Sequence, residues 1–285
     1  MATYYIRKRG NDSNNGTSPN SAWLTLTKAL GSSGISSGDI LYIGAGIYRE
    51  TVTINIISAT SETKIIGDTD GRYTEDTGEI IITSYLINDE SAPITTNLFL
   101  LNGKDFLTFE NIIFISGIQS SSSTGAIHAA TTSTDIIFKK CIFVNSFAQS
   151  TPLLSCIIGF GISANWIIDS CIFYSLQNAS TRGAIDIDLT TGAGSDYDSN
   201  IKIHNCLFLG SAPFICIDDN GTSAQEGGGV IITNCTFIGS GVGAGITHDG
   251  TRIGGSTFAY PTKIFNCFIY ANSGSNGSIK SGELG

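Results

Sequence analysis

A short segment of the form Cys-x-Phe, or a variant with one of the two residues replaced, recurs six times in this chain, about every thirty residues. The equivalent positions are separated by 29, 30, 35, 29 and 32 residues, and they are Ile112, Cys141, Cys171, Cys206, Cys235 and Cys267. A period of this size indicates a repeat architecture, in which each unit is completed by packing against its neighbours. The chain therefore has to stack similar units rather than fold around one irregular core.

The residues around each Cys favour strands over helices. β-Branched and aromatic residues alternate with polar ones, and Gly, Ser, Thr and Asn fill the gaps. With a bend at His204-Asn205, alternation brings four apolar residues to one side, namely Ile201, Ile203, Cys206 and Phe208. Asn precedes the Cys in three units, at Asn205, Asn234 and Asn266. Because Asn tolerates the left-handed backbone region, we expect a structural ladder of Asn residues at this bend.

A second strand recurs in each unit, so two or three short strands per turn are predicted. Its copies begin near Ala126, Ala184, Phe214 and Gly245. Short strands stacked at a steady period describe a β-solenoid, with equivalent residues about 4.8 Å apart along the stack.

The pattern resembles the right-handed parallel β-helix proteins of the pectin-lyase-like superfamily. The opening also resembles the start of many such proteins, with Tyr4-Tyr5-Ile6, the run 10–17, Ala22-Trp23-Leu24 and Gly46-Ile47-Tyr48. That opening is shared by polysaccharide lyases, surface proteins and phage tail or tailspike proteins. The resemblance implies an all-β, single-stranded right-handed parallel β-helix with a short N-terminal capping helix. We assign residues 1–37 to the cap, 38–272 to the β-helix and 273–285 to a polar, Gly/Ser-rich tail.

Seven cysteines raise the question of disulfides or a metal site. The cysteines of successive repeats lie about thirty residues apart, and the chain has no Cys-x-x-Cys pair, which argues against both. One strand spacing also exceeds the roughly 3.8 Å that a disulfide prefers between Cβ atoms. We therefore predict a reduced ladder pointing inward, accompanied by phenylalanines at one inward position, which are Phe143, Phe173, Phe208 and Phe237.

The composition of the chain limits the classes of molecule that it is expected to bind. The net charge is −9 and no basic stripe is present, which argues against nucleic acid. An acidic polysaccharide would be repelled on average, unless a cation or a local basic patch intervenes. No apolar run is long enough to predict membrane insertion. The absence of a visible signal peptide and the reduced cysteines predict synthesis in the cytoplasm.

Acidic residues form the candidate site. Aligned second strands place Asp188, Asp218 and Asp249 in register, 30 and 31 residues apart, and Asp186 is expected on the same outward face. Nearby candidates for substrate binding are Asp219, His248, Arg182 and Arg252.

Carboxylates one strand apart lie about 5 Å from each other and two strands apart about 10 Å, which suits glycosidase chemistry or a bridging Ca²⁺. No cofactor is required, and a metal ligand set is not defined. The same Asp residues also suit turns, and His128 and His204 are expected to be ordinary surface or turn residues.

Three functions stay open at this point. The first is a phage tail, tailspike-like or surface protein that binds a polysaccharide, with or without cleaving it. The second is a polysaccharide lyase or glycoside hydrolase, and the third is a purely structural component. The resemblance implies a virion or extracellular surface, a cell-surface glycan as partner and, through the tailspike likeness, a homotrimer.

Overall fold

Equivalent strands of successive units pair in parallel and build three sheets along one axis. The computed structural model describes residues 1–56, 60–83, 97–116, 125–129, 133–145, 155–159, 164–175, 183–188, 198–210, 214–218, 228–240, 246–249, 262–272 and 279–281. The chain visits the first, second and third sheets in turn and then returns to the first. This is a parallel β-helix, so the predicted fold class is confirmed.

The first sheet has nine strands, in the order Thr3–Ile6, Ile40–Ile43, Thr63–Gly67, Leu107–Glu110, Ile136–Lys139, Ile167–Asp169, Asp198–His204, Gly228–Thr233 and Lys263–Phe265. The second sheet has eight, which are Gly46–Arg49, Ile80–Thr83, Ile113–Ser116, Ile142–Asn145, Ile172–Ser175, Leu207–Gly210, Thr236–Ser240 and Phe268–Asn272. The third also has eight, which are Val52–Thr53, Phe99–Leu100, Gly125–Ala129, Ser155–Gly159, Ile185–Asp188, Ile215–Asp218, Ile246–Asp249 and Ile279–Ser281.

A left-handed residue separates the first sheet from the second in each unit. The positive φ angles here include 56° at Asn205, 53° at Asn234 and 50° at Asn266. The amide Nδ2 of Asn266 donates to Oδ1 of Asn234 at 2.7 Å, and Nδ2 of Asn234 donates to Oδ1 of Asn205 at 3.4 Å. The predicted Asn ladder is therefore confirmed, and it fixes the bend at which the chain changes sheet.

Stacked phenylalanines fill the core. The four predicted rings are fully buried, and Phe114 extends their column by one unit. Centroid distances fall between 5.1 Å for Phe114–Phe143 and 4.6 Å for Phe208–Phe237, with nearly parallel rings. Because each unit places the same ring one strand spacing further on, offset stacking continues along the axis.

The cysteine ladder lies beside the phenylalanines. Cys141, Cys171, Cys206 and Cys235 are buried and free, as predicted. Cys267 is also free but only partly buried, which corrects the expectation that all five are enclosed. Cys267 belongs to the last described turn, where Phe265 and Phe268 beside it are exposed.

The N-terminal segment contains the predicted short helix, at Leu26–Leu30, preceded by a 3₁₀ helix at Pro19–Ser21. Thr25 caps it, because its Oγ1 accepts the Lys28 amide at 3.1 Å. The helix does not begin earlier, because Trp23 is extended and bridges to Ile6. In the described part of the chain, no helix is long and apolar enough to cross a membrane.

Candidate functional site

The predicted acidic column exists at the level of the backbone. Asp188 pairs with Asp218, and Asp218 pairs with Asp249, at the end of three successive strands of the third sheet. Adjacent Cα atoms are therefore separated by about one strand spacing of 4.8 Å. The side chains of these three residues lie outside the described structure, and so do all of Asp219, Arg182 and Arg252.

Asp186 does not lie on an open surface. Its strand pairs it with Ile158 on one side and Cys216 on the other, and only 2% of the residue is exposed. His128, in the same column, is also buried, with its Nδ1 2.8 Å from Nδ2 of Asn97. This face of the third sheet is thus covered around both residues. The expectation that Asp186 faces an accessible glycan is corrected accordingly.

His248 occupies a different column from the acidic residues. It pairs with Ile217, which pairs with Ile187, and both isoleucines are buried in the core. The side chain of His248 is outside the described structure. Although His248 directly precedes Asp249 in the sequence, it lies in the column of core residues and not in the column of carboxylates.

A groove lies on the outer face of the first sheet, and sequence reasoning missed it. Its volume is about 160 Å³, and its lining consists of Asp135, Ile137, Asn165, Ile167, Asn200 and Lys202. Three successive strands contribute equivalent residues, since Ile137 pairs with Ile167 and Ile167 pairs with Lys202. The groove thus combines an aliphatic floor with carboxylate, amide and ammonium groups.

A second ladder of left-handed residues forms one wall of this groove. Asp135, Asn165 and Asn200 have φ angles of 57°, 60° and 47°. Nδ2 of Asn165 donates to Oδ1 of Asp135 at 3.2 Å, and Nδ2 of Asn200 donates to Oδ1 of Asn165 at 2.9 Å. These bonds hold the polar groups at a fixed spacing, one per turn. Each of the three residues stands six positions before the Cys of its unit, so a longer alignment of the repeats would have found them.

Charged residues continue this face beyond the groove, in the column Lys139, Asp169 and His204. Nε2 of His204 lies 4.0 Å from Oδ1 of Asp169, so His204 takes part in a polar cluster beyond the turn role expected for it. Burial opposes ionisation of Asp169, but hydrogen bonds from Asn205 and Ser170, together with His204 and Lys139, outweigh it and lower the pKa of the carboxyl. Asp169 is therefore a stable anion beside an exposed lysine.

Lys139 and Lys202 are exposed, and neither forms a salt bridge within the described residues. The groove consequently has one ammonium group, that of Lys202, and a second, that of Lys139, lies beyond it, although the whole chain has a net charge of −9. Within the same described set, no group of three or more His, Cys, Asp or Glu side chains is placed to hold a metal ion.

Comparisons with known proteins concern the fold. No protein-family profile and no curated protein matches the sequence. Among solved structures, a rhamnogalacturonan lyase is similar at a TM-score of 0.49 with 15% identity, over 95% of this chain and 65% of the lyase. The parallel β-helix architecture itself follows from the strand order of this chain. A GH136 lacto-N-biosidase from Eubacterium ramulus is similar to this β-helix at a TM-score of 0.46 with 13% identity, over 87% of this chain and 43% of the biosidase. The chain thus spans less than two thirds of either protein.

Proposed function

We propose that this β-helix binds a polysaccharide along the outer face of its first sheet. The observation that carries the proposal is the groove of about 160 Å³ between Asp135 and Lys202, in which three successive strands contribute equivalent residues. Amide and carboxylate groups at its wall suit hydroxyl groups, which both donate and accept hydrogen bonds. Ile137 and Ile167 offer an apolar surface to the C–H face of a sugar, as in other small-molecule sites.

Periodicity favours a polymer over a single sugar. Equivalent groups repeat at about one strand spacing along the sheet, and a polysaccharide also presents its hydroxyl groups at regular intervals. Several weak contacts along one chain then add, because each later contact forms at high effective concentration.

An acidic sugar fits the groove better than a neutral one. Lys202 in the lining and Lys139 beyond it are exposed cations without an ion pair among the described residues. Lys139 lies beside the Asp169 carboxylate, so the proposal of an acidic sugar depends on Lys202, the exposed cation of the lining. A carboxylate on the ligand would gain a charge-assisted hydrogen bond from the Lys202 ammonium group.

The test compares two charge reversals in one column of the first sheet. Lys202→Glu alters the groove, whereas Lys64→Glu alters a partly exposed lysine four strands away. Calorimetric titration with oligogalacturonate should show at least about tenfold weaker binding for Lys202→Glu, since a charged hydrogen bond is worth about 1.5–3 kcal/mol. Lys64→Glu should bind like the wild type. Equal binding by both variants, or no binding of any glycan by the wild type, contradicts the proposal and leaves a structural role.

Cleavage is the second candidate function, and the register of the acidic column favours it. Asp188, Asp218 and Asp249 follow one another in a single column. Carboxylates about 5 Å apart suit a retaining glycosidase, and those about 6.5–9.5 Å apart suit an inverting one. One carboxyl group would act as general acid and the other as base or nucleophile. In the lyase alternative, a Ca²⁺ ion held by this column would bind the acidic sugar.

Asp218→Asn separates binding from cleavage. If the column is catalytic, the variant should lose turnover and keep the glycan affinity of the wild type. Assays for reducing ends and for unsaturated products distinguish hydrolysis from elimination, and a chelator identifies a Ca²⁺ requirement. Binding by the wild type without any product supports a purely adhesive protein.

The setting we propose is a phage tail or a cell surface, where adhesion to a host glycan is useful with or without cleavage. The free cysteines of the core support assembly in a reducing compartment. Detection of the protein in purified virions, or at the surface of the producing cell, would test this setting.

A further inference from the structure

The outer face of the second sheet is an apolar surface that the proposed function does not use. One of its two columns contains Ile113, Ile142, Ile172 and Leu207 in consecutive register. The other column continues from Tyr174 through Leu209 and Ile238 to Tyr270. Tyr174, Ile238 and Tyr270 are 40%, 42% and 59% exposed, respectively. We call these two columns the apolar face.

Its charge pattern sets this face apart from its neighbour. From Ile113 to Tyr270 the two columns contain no Asp, Glu, Lys or Arg, and Thr236 is their one polar member apart from the tyrosine hydroxyls. The outer face of the first sheet, by contrast, includes Lys139, Asp169 and Lys202. In a chain with a net charge of −9, this face thus lacks charged groups from Ile113 onward, and Arg49 lies in the same column only on its first strand.

The size of the apolar face matches a weak, transient protein contact. The six strands from Ile113–Ser116 to Phe268–Asn272, at a spacing of about 4.8 Å, make the columns about 24 Å long, and two columns of side chains are about 14 Å wide, which gives on the order of 340 Å². A patch of this size is within the range of the largest apolar patch on a typical monomer, and such a patch is often functional. Two such faces in contact would bury about 700 Å², which is the size of a weak, transient interface.

We propose that the apolar face binds the same face of a second copy of this chain. Its side chains form ridges that repeat at the spacing of the strands. Such ridges interdigitate along their whole length only with a surface that repeats at the same distance. An identical face has that repeat, and a twofold axis makes one patch serve both partners. Pairing also leaves no charge buried without a partner, whereas the rest of this acidic molecule would repel a second copy. The modest area makes the dimer weak and dependent on concentration.

Analytical ultracentrifugation over a range of protein concentrations tests the proposal. The wild type should shift from monomer to dimer as the concentration rises. The double variant Tyr174→Glu with Ile238→Glu should weaken dimerisation by about tenfold or more, because it buries unpaired carboxylates between the copies. Ile231→Glu, on the outer face of the first sheet, is the matched control and should dimerise like the wild type.

A wild type that stays monomeric at every concentration overturns the proposal, and so does a double variant that dimerises normally. Co-sedimentation with phosphatidylcholine vesicles in place of self-association would also overturn it, because the face would then contact lipid. Hydrogen exchange of the wild type provides a measurement that does not depend on variant folding. Amides of 207–210 and 236–240 should gain protection as the protein concentration rises, and unchanged exchange there contradicts the interface.

Discussion

Phe173 is enclosed between two other rings of the phenylalanine column, with centroids 4.9 Å from Phe143 and 4.8 Å from Phe208. Phe173→Ala should lower the free energy of unfolding by about 3–5 kcal/mol, because a long solenoid core cannot collapse around the cavity. The neighbouring Tyr174 points outward and is 40% exposed, so Tyr174→Ala serves as the control and should cost less than about 1 kcal/mol. Urea denaturation measures both. A small loss for Phe173→Ala would mean that the column does not carry the core.

Thiol reactivity distinguishes the end of the cysteine ladder from its interior. Cys267 is partly exposed, whereas Cys141, Cys171, Cys206 and Cys235 are buried. Titration of the native protein with a thiol reagent should modify Cys267 first and the four buried residues only after denaturation. Cys267→Ser should remove that first phase and leave the slow one unchanged. Disulfide-linked cysteines in the purified protein would refute the reduced ladder.

At the scale of the element, the bend between the first and second sheets depends on a left-handed residue. Asn205 has a φ of 56°, and its Nδ2 donates to Oδ1 of Asp169 at 2.9 Å. Asn205→Ala should cost about 1–2 kcal/mol for the backbone conformation and about 1 kcal/mol for the lost hydrogen bond. Asn205→Gly loses the bond but tolerates the backbone, so it should be the more stable of the two variants. Thermal melts that rank alanine above glycine would contradict this account of the bend.

The repeat made the strands, the bend and the inward residues predictable, because each of these features recurs in several units. Phe143, Cys171 and Asn205 were all assigned correctly for this reason. The site was harder, because exposure depends on what covers a sheet. Asp186 follows the expected alternation, yet it is 2% exposed, and no pattern within its own strand indicates the covering residues.

The groove was hard to predict for a different reason. Its residues recur in successive units, but the chemical groups that they contribute differ from unit to unit. Asp135, Asn165 and Asn200 are polar residues common in turns, and only their stacking on three adjacent strands places them around one cavity. Lys202 stands where the two preceding units have isoleucine. That departure from the repeat is the one signal in the sequence that points to the proposed site.

At the scale of the whole molecule, the buried thiols make stability depend on alkaline pH. Burial raises the pKa of Cys156 to about 12 and also raises the pKa of Cys171. Contact with the preceding cysteine, together with burial, raises the pKa values of Cys206 and Cys235. In the unfolded chain a cysteine ionises near pH 8.5. Above that pH, thiol ionisation therefore stabilises the unfolded state and not the folded one. The folded state is thus stabilised fully below about pH 8.5 and loses stability as the pH rises further.

Urea denaturation at pH 7 and at pH 10 should therefore show a clear loss of stability at the higher pH. Cys156→Ala should be less stable than the wild type at pH 7, because it leaves a cavity in the core. Its further loss between pH 7 and pH 10 should be smaller by about 1–2 kcal/mol, since one ionising thiol has been removed from the unfolded state. Tyr174→Ala, which changes an exposed residue outside the ladder, should keep most of the wild-type pH dependence. An identical pH dependence for Cys156→Ala and the wild type would show that the buried thiols do not control alkaline stability.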